Sequence, residues 1–323
     1  MEFISPRRLK ELGMLGMNRR NVSVIGRLNQ RKNYPLVDNK LKTKLIAEEH
    51  GMAVPRLIGT ISHQFEVKNL RKYLGLNRQF VIKPAQGSGG KGILVIVGRK
   101  KGRFFKPSGA DLSIRDLERH VSNILSGLYS LGGRLDVAMI EALVKFDESM
   151  ACYSYEGVPD IRVVVYRGYP VMAMMRCSTH SSDGKANLHQ GAVGVGIDLA
   201  EGHSLFAVQN GLLVDRHPDT QHSFEELRVP HWQEILHLAA GCYEMTDLGY
   251  LGADVVIDSE RGPLILELNA RPGLAIQIAN QCGLVWRMQE IDRVVGSHNT
   301  VEERVEFSRQ AFGAAVQGQL LPS

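Results

Sequence analysis

The chain has 323 residues, 44% of them hydrophobic and 23% charged, a composition suited to a globular enzyme of one large or two modest domains. Four cysteines, Cys152, Cys177, Cys242 and Cys282, form no Cys-x-x-Cys pair, which argues against a zinc site or disulfide framework and for a reducing cytoplasm. No apolar run is long enough for a bilayer span and no signal peptide opens the sequence; the net charge of +5 is gathered in residues 1–44, where eleven Lys/Arg meet three acids.

That basic stretch can meet a nucleotide, an anionic acceptor, a membrane surface or RNA, but without interleaved aromatics it gives no platform for nucleic-acid stacking. Asp38 or Asn39 caps a helix running to about His50, closed by Gly51, and Pro55 leads into a strand at Leu57–Ile61. Residues 66–75 read as helix. Gln79–Pro84 reads as a strand with Val81 and Lys83 on one face, and a Gly/Ser loop over Gln86–Lys91 precedes the strand Gly92–Val97. An amphipathic helix is expected over Ile114–Leu131 and an apolar strand over Val137–Val144. Asp160–Tyr166 and Tyr169–Arg176 form a hairpin turned at Arg167-Gly168. The polar segment Ser178–Gln190 reads as mobile, and His231–Leu248 as helix. Leu251–Asp258 and Gly262–Asn269 form a second hairpin, and helices follow at 284–293 and 300–316. Strands with helices between them imply an α+β enzyme.

Three groups of residues carry chemistry. Lys83 leads its strand into a glycine loop whose N–H groups can fold over phosphates, although no Walker sequence closes it. Glu267 and Asn269, two apart on one strand, share a face, and pairing with Leu251–Asp258 brings Asp254 beside them. Three oxygen donors of this kind suit Mg²⁺, with phosphates and water completing six ligands. Arg271 adds a fixed positive charge where that strand runs out. The third group is Arg162 and Arg176 on the first hairpin, with Lys185, Asn187 and His189 in the polar segment; the two arginines can reach a common anion.

In order and spacing these motifs resemble the ATP-grasp superfamily, and within it the RimK-like and alpha-L-glutamate ligase-like proteins, over residues 36–283. The resemblance implies an ATP-grasp fold of two α+β subdomains clamping ATP. It assigns residues 39–283 to that domain, with a small lid subdomain at about 76–140. A truncated basic segment, 1–38, precedes the domain and a helical tail, 284–323, follows it. It implies Lys40 and Lys83 as the nucleotide lysines and Gly87, Ser88, Gly89 and Gly90 as the loop over the phosphates. Glu141, Ala142 and Leu143 would be the hinge whose backbone reads adenine. Asp160 would meet the ribose, with Asp147 and Glu148 as rivals, and Asn187 would join the nucleotide set. Arg162 and His189 would touch substrate. Asp254, Glu267 and Asn269 would hold two Mg²⁺ ions, Mn²⁺ being an acceptable substitute.

The chemistry so implied is ATP-dependent joining of a carboxylate to an amine through an acyl phosphate, with Arg271 and Arg176 stabilising the oxyanion. The substrates expected are an amino acid or an acidic peptide. Gln190-Gly191-Ala192 stands where RimK-like ligases carry Arg-Gly-Gly, so a preference for glutamate does not carry over. A protein partner can act through the basic segment or the tail, self-association is open, and nucleic acid is not expected. The alternative is a non-catalytic Mg-ATP module that works through a partner.

Overall fold

The computed structural model describes residues 5–87 and 89–313. They fall into two compact units. The smaller comprises Asp38–Leu45 and Val54–Lys145; the larger takes in the chain up to Val37, Ile46–Ala53, and the chain from Phe146 onward.

The helix α1 (Lys40–Glu49) starts at Asn39, whose side-chain oxygen accepts from the N–H groups of Leu41 and Lys42 at 3.0 and 3.1 Å. The smaller unit then runs through β1 (Leu57–Ile61), β2 (Phe80–Pro84), β3 (Leu94–Ile96), β4 (Gly98–Lys100), β5 (Arg103–Phe105), β6 (Asp111–Leu112), α2 (Ile114–Leu125) and β7 (Ala138–Ala142). Four of its strands form an antiparallel sheet in the order β1-β7-β2-β3, and β4-β5-β6 form a second. Helix α2 opens on a Ser113/Asp116 capping box and presents Leu117, Val121 and Ile124 to Phe80, Ile82 and Ile140; all six are solvent-free. Each such side chain contributes about 1.5–3 kcal/mol by leaving water. The helix stops at Leu125, not at Leu131. Gly127 turns into the left-handed region at φ +82°, and a Cβ there would lie 2.4 Å from the Arg134 carbonyl oxygen.

The larger unit is built on a seven-stranded antiparallel sheet: β8 (Asp160–Tyr166), β9 (Tyr169–Cys177), β10 (Val193–Ile197), β11 (Ser204–Gln209), β12 (Leu212–Leu213), β13 (Tyr250–Asp258) and β14 (Gly262–Asn269). Their spatial order is β12-β11-β10-β9-β8-β13-β14. Both expected hairpins are present, the first turning with positive φ at Arg167 and Gly168. Strands β10 to β12 lie in a stretch the sequence left unread. Val193-Gly-Val-Gly-Ile carries glycine at alternate positions, which weakens a strand signal. Their smallness is required by packing: a Cβ on Gly196 would sit 2.3 Å from the Ala279 carbonyl oxygen. Helices α3 (Trp232–Thr246), α4 (Leu284–Val294) and α5 (Val301–Phe312) lie against this sheet.

The basic segment is not a loose arm. Leu15, Val24 and Ile25 are buried, and Asn29 is stapled to the sheet. Its amide donates to the carbonyls of Tyr250 (2.7 Å) and Ala270 (3.2 Å), and its oxygen accepts from the Tyr250 N–H (2.9 Å). The polar segment 178–190 is likewise held. Ser178, Thr179 and Ser182 are buried, and the Thr179 hydroxyl donates to the Gly191 carbonyl at 2.9 Å. Expected residues 1–4, Ser88 and 314–323 lie outside the described residues.

Candidate active site

In the smaller unit, β2 and β7 are neighbours, and this adjacency gathers charge in an apolar interior. Lys83 on β2, Lys44 on α1 and Glu141 on β7 are 6%, 4% and 3% exposed. Lys83 Nζ lies 2.6 Å from Glu141 Oε2 and Lys44 Nζ 2.9 Å from Oε1. Lys44 also donates to the Pro55 carbonyl. Oε1 accepts no well-directed hydrogen bond among the described residues, so its contact with Lys44 is one of charge. A buried carboxylate between two ammonium groups fixes both lysines. Lys44 escaped the sequence reading; its only signal was its place one helical turn after Lys40.

The glycine loop is anchored at both ends within the same unit. Lys40 Nζ donates to the Gly87 carbonyl at 2.8 Å. Buried Asp136 accepts from the Gln86 N–H at 3.0 Å and from the Ser130 hydroxyl at 2.6 Å. At the far end His120 Nε2 meets the Gly92 carbonyl at 2.9 Å. Gly92 has φ +77°, and a Cβ on it would lie 2.5 Å from the Tyr129 ring. Gly87, Gly89 and Gly90 thus belong to a short span with fixed hinges, while Ser88 is outside the described residues. At the expected hinge, the Ala142 N–H is given to the Arg56 carbonyl at 2.9 Å, so backbone free to read a base begins no earlier than Leu143.

The larger unit holds the second group. Register sets Asp254 on β13 between Arg162 on β8 and Glu267 on β14, while Asp160 pairs with Arg176 across β8 and β9. Arg162 grips Asp254 with two bonds of 2.7 and 2.6 Å. Arg176 grips Asp160 with two of 2.5 Å and reaches Asp254 Oδ2 at 2.7 Å. Bidentate pairing of this kind is the strong form of a charge-assisted bond. Burial drives both carboxyls upward. At Asp254 the guanidiniums of Arg162 and Arg176 outweigh it and hold the group below the usual carboxylate range. At Asp160 burial prevails over Arg176, with the charge of Asp254 adding to it, and the pKa is raised. Asp160 is therefore held by Arg176.

Asn269 Nδ2 donates to Asp254 Oδ2 at 3.3 Å, which turns its amide oxygen away from that carboxylate. Oδ2 of Asp254 thereby accepts from Arg162, Arg176 and Asn269, whereas Oδ1 accepts from Arg162 alone among the described residues. One lone pair of Oδ1, the Asn269 oxygen and the half-buried Glu267 carboxylate are the hard donors that Mg²⁺ takes. The residues fit the ion by donor type. No cluster of three or more His, Cys, Asp or Glu side chains suited to a metal exists among the described residues, since this set is two carboxylates and an amide.

Other expected residues are dispersed. Arg271 is exposed and stacks on the Tyr34 ring, 5.3 Å from its centroid, because it lies past the end of β14 where strand alternation no longer aims it. Lys185 pairs with Asp183 at 3.0 Å on the surface. Asn187 spends its side-chain oxygen on the His189 N–H at 3.0 Å, and His189 is exposed.

A family model described as sugar-transfer associated ATP-grasp matches residues 19–293. The chain belongs to that family. An ATP-grasp fold of α+β type follows. A curated relative from Parasynechococcus marenigrum (strain WH8102), named probable alpha-L-glutamate ligase, is 24% identical over 260 residues. The match covers 80% of this chain but only 41% of that relative, so the chain spans about two fifths of its length. The RimK domain ATP-grasp protein from Sphaerobacter thermophilus DSM 20745 is 12% identical with TM-score 0.45, covering 81% of this chain and 70% of that one. D-alanine–D-alanine ligase from Helicobacter pylori is 13% identical with TM-score 0.43, covering 80% and 61%. Among the described residues no helix of this ATP-grasp protein is long and apolar enough to cross a membrane.

Proposed function

We propose that this ATP-grasp chain is a carboxylate–amine ligase that forms an amide through an acyl phosphate, with release of ADP and phosphate. The observation that carries the reading is the Asp254 row: a depressed carboxylate facing Glu267 in register, beside the Asn269 amide, with two part-buried arginines on the same carboxylate.

A bare carboxylate resists attack by an amine because its charge is delocalised and oxide leaves badly. A carboxylate oxygen attacking the γ-phosphorus, with the bond to ADP breaking, creates an electrophile; the amine then adds to the acyl carbon, loses a proton, and phosphate departs. Lys83 and Lys44, fixed by Glu141, supply positive charge for phosphate oxygens, and Lys40 holds the start of the covering loop. Arg162 and Arg176 supply donors for the charge that builds on the transferred group and on the tetrahedral oxygen. Mg²⁺ held by Asp254, Glu267 and Asn269 would neutralise charge on the triphosphate. The glycine loop, anchored through Lys40 at Gly87 and His120 at Gly92, offers N–H groups to phosphate oxygens.

The test is a coupled assay for ADP and phosphate with pairs of acids and amines, alongside calorimetry with Mg-ATP. Phosphate release that requires both an acid and an amine, and that Glu267→Gln abolishes, is the expected result. Mg-ATP heat without turnover for any pair would favour a non-catalytic module. Turnover that ignores the amine would indicate a phosphotransferase.

A further inference from the structure

The larger unit carries a cavity of about 380 Å³ beside β10 and β11, walled by Leu188, Ala192, Val208, Ala275 and Ile278. His189 and Asn210 are the polar side chains on its lining, and none of the described lining residues is Lys, Arg, Asp or Glu. One wall of the cavity lies close to the charged row. Leu188 lies flat on the sheet because Gly194 has no Cβ; one there would come within 2.7 Å of Leu188 Cδ2. Gly194 is the register partner of Arg176 on the neighbouring strand. The Leu188 wall therefore rests one strand spacing, about 5 Å, from the backbone of the arginine that holds Asp160 and Asp254. On the other side, Ala275 and Ile278 belong to the segment that follows Glu267 and Asn269 directly out of β14.

The walls are also fixed. The Gly191 carbonyl, just before Ala192, accepts from Thr179 Oγ1 at 2.9 Å and from Gln209 Nε2 at 2.8 Å. Ala192 itself is fully buried. A rigid apolar recess next to a cluster of arginines gains by covering an apolar group, and it offers a carboxylate no cation to replace its water.

We propose that this cavity receives an uncharged, apolar group of the substrate whose reacting end lies at Arg176, so that the enzyme selects apolar over acidic substrates. The proposal rests on the ligase reading and names its substrate class. It runs against glutamate, whose side-chain carboxylate would enter a lining without a basic partner.

The experiment measures Mg-ATP-dependent ADP release with leucine, phenylalanine and glutamate, each offered as acid and as amine component, for the wild type and for Ile278→Arg. Ile278 sits on the rim and is 46% exposed, so the variant is placed where the fold tolerates it. Leucine or phenylalanine should exceed glutamate at least ten-fold in kcat/KM, and the arginine should narrow or invert that ratio by a similar factor. Wild-type preference for glutamate, or an apolar preference untouched by Ile278→Arg, overturns the proposal while leaving the ligase reading intact. If none of the three supports turnover, saturation-transfer NMR with phenylalanine and glutamate decides. A phenylalanine signal lost in Ile278→Arg supports the cavity although the ligase reading fails, and absence of a phenylalanine signal overturns it.

Discussion

Asp254→Asn tests the charged row most directly, because the substitution keeps volume and removes only charge. In the native chain Arg162 gives Asp254 two bonds of 2.7 and 2.6 Å, and the two side chains are 11% and 4% exposed. Asp254 is the only carboxylate within ion-pair range of Arg162 among the described residues, whereas Arg176 retains Asp160. The variant therefore leaves the largely buried Arg162 guanidinium without its bidentate partner, a loss of about 3–5 kcal/mol. Both tryptophans, Trp232 and Trp286, lie in the larger unit, so their fluorescence reports its unfolding alone. With a urea slope of about 3 kcal/mol per molar, the midpoint should fall by about 1–1.7 M. Adding Arg162→Met removes the stranded charge and should recover about 2 kcal/mol of the loss. Glu267→Gln, at a half-buried position in the same proposed metal set, should shift the midpoint by less than about 0.3 M. A shift below 0.3 M for Asp254→Asn (about 1 kcal/mol), or no recovery in the double variant, would refute the bidentate pairing and the electrostatics built on it.

Glu141→Gln deprives Lys44 and Lys83 of their shared carboxylate; amide exchange in β2 and β7 should quicken by about two to three decades and Mg-ATP should bind more weakly, whereas unchanged protection would show the lysines to be independently held. Asn29→Ala loses three buried hydrogen bonds, at about 1 kcal/mol each, and tryptophan fluorescence should show the whole larger unit weakened by about 2–3 kcal/mol; a local effect confined to residues 15–30 would mean the basic segment is not part of that unit. His120 is held below its ordinary pKa, chiefly by burial, with the Gly92 carbonyl acting the other way. The unfolded chain takes up a proton near pH 6.5 that the native chain refuses, so the contribution is full above that pH and is lost as pH falls toward the native value. Exchange protection around Gly92 and α2, corrected for intrinsic rates, should therefore decline between pH 7 and 5, and His120→Gln should remove that slope; an identical slope in the variant would exclude His120 as its source.

Much of the site was legible because strand periodicity is local information. Alternation in Gly262–Asn269 put Glu267 and Asn269 on one face, the Arg167-Gly168 turn announced the first hairpin, and Asp38 or Asn39 announced the start of α1, whereas the register shift between Val164 and Val165 that opposes Asp160 to Arg176 left no sign in the sequence. Where the chain leaves regular structure that information fails. Arg271, beyond the strand end, found an aromatic ring, and the glycine-spaced strand β10 carried too little side chain to be seen as a strand.

The sequence by itself determined which residues share a face of a strand or helix, since backbone geometry repeats every two or 3.6 residues whatever lies nearby. Only the tertiary structure decided which strands are neighbours. Setting β8 between β9 and β13 is what places Arg162 and Arg176 on one carboxylate, and setting β7 beside β2 is what sinks Glu141 between Lys44 and Lys83. Those pairings depend on partners far apart along the chain, where the cost of a buried charge is offset only when its counter-ion arrives from another element.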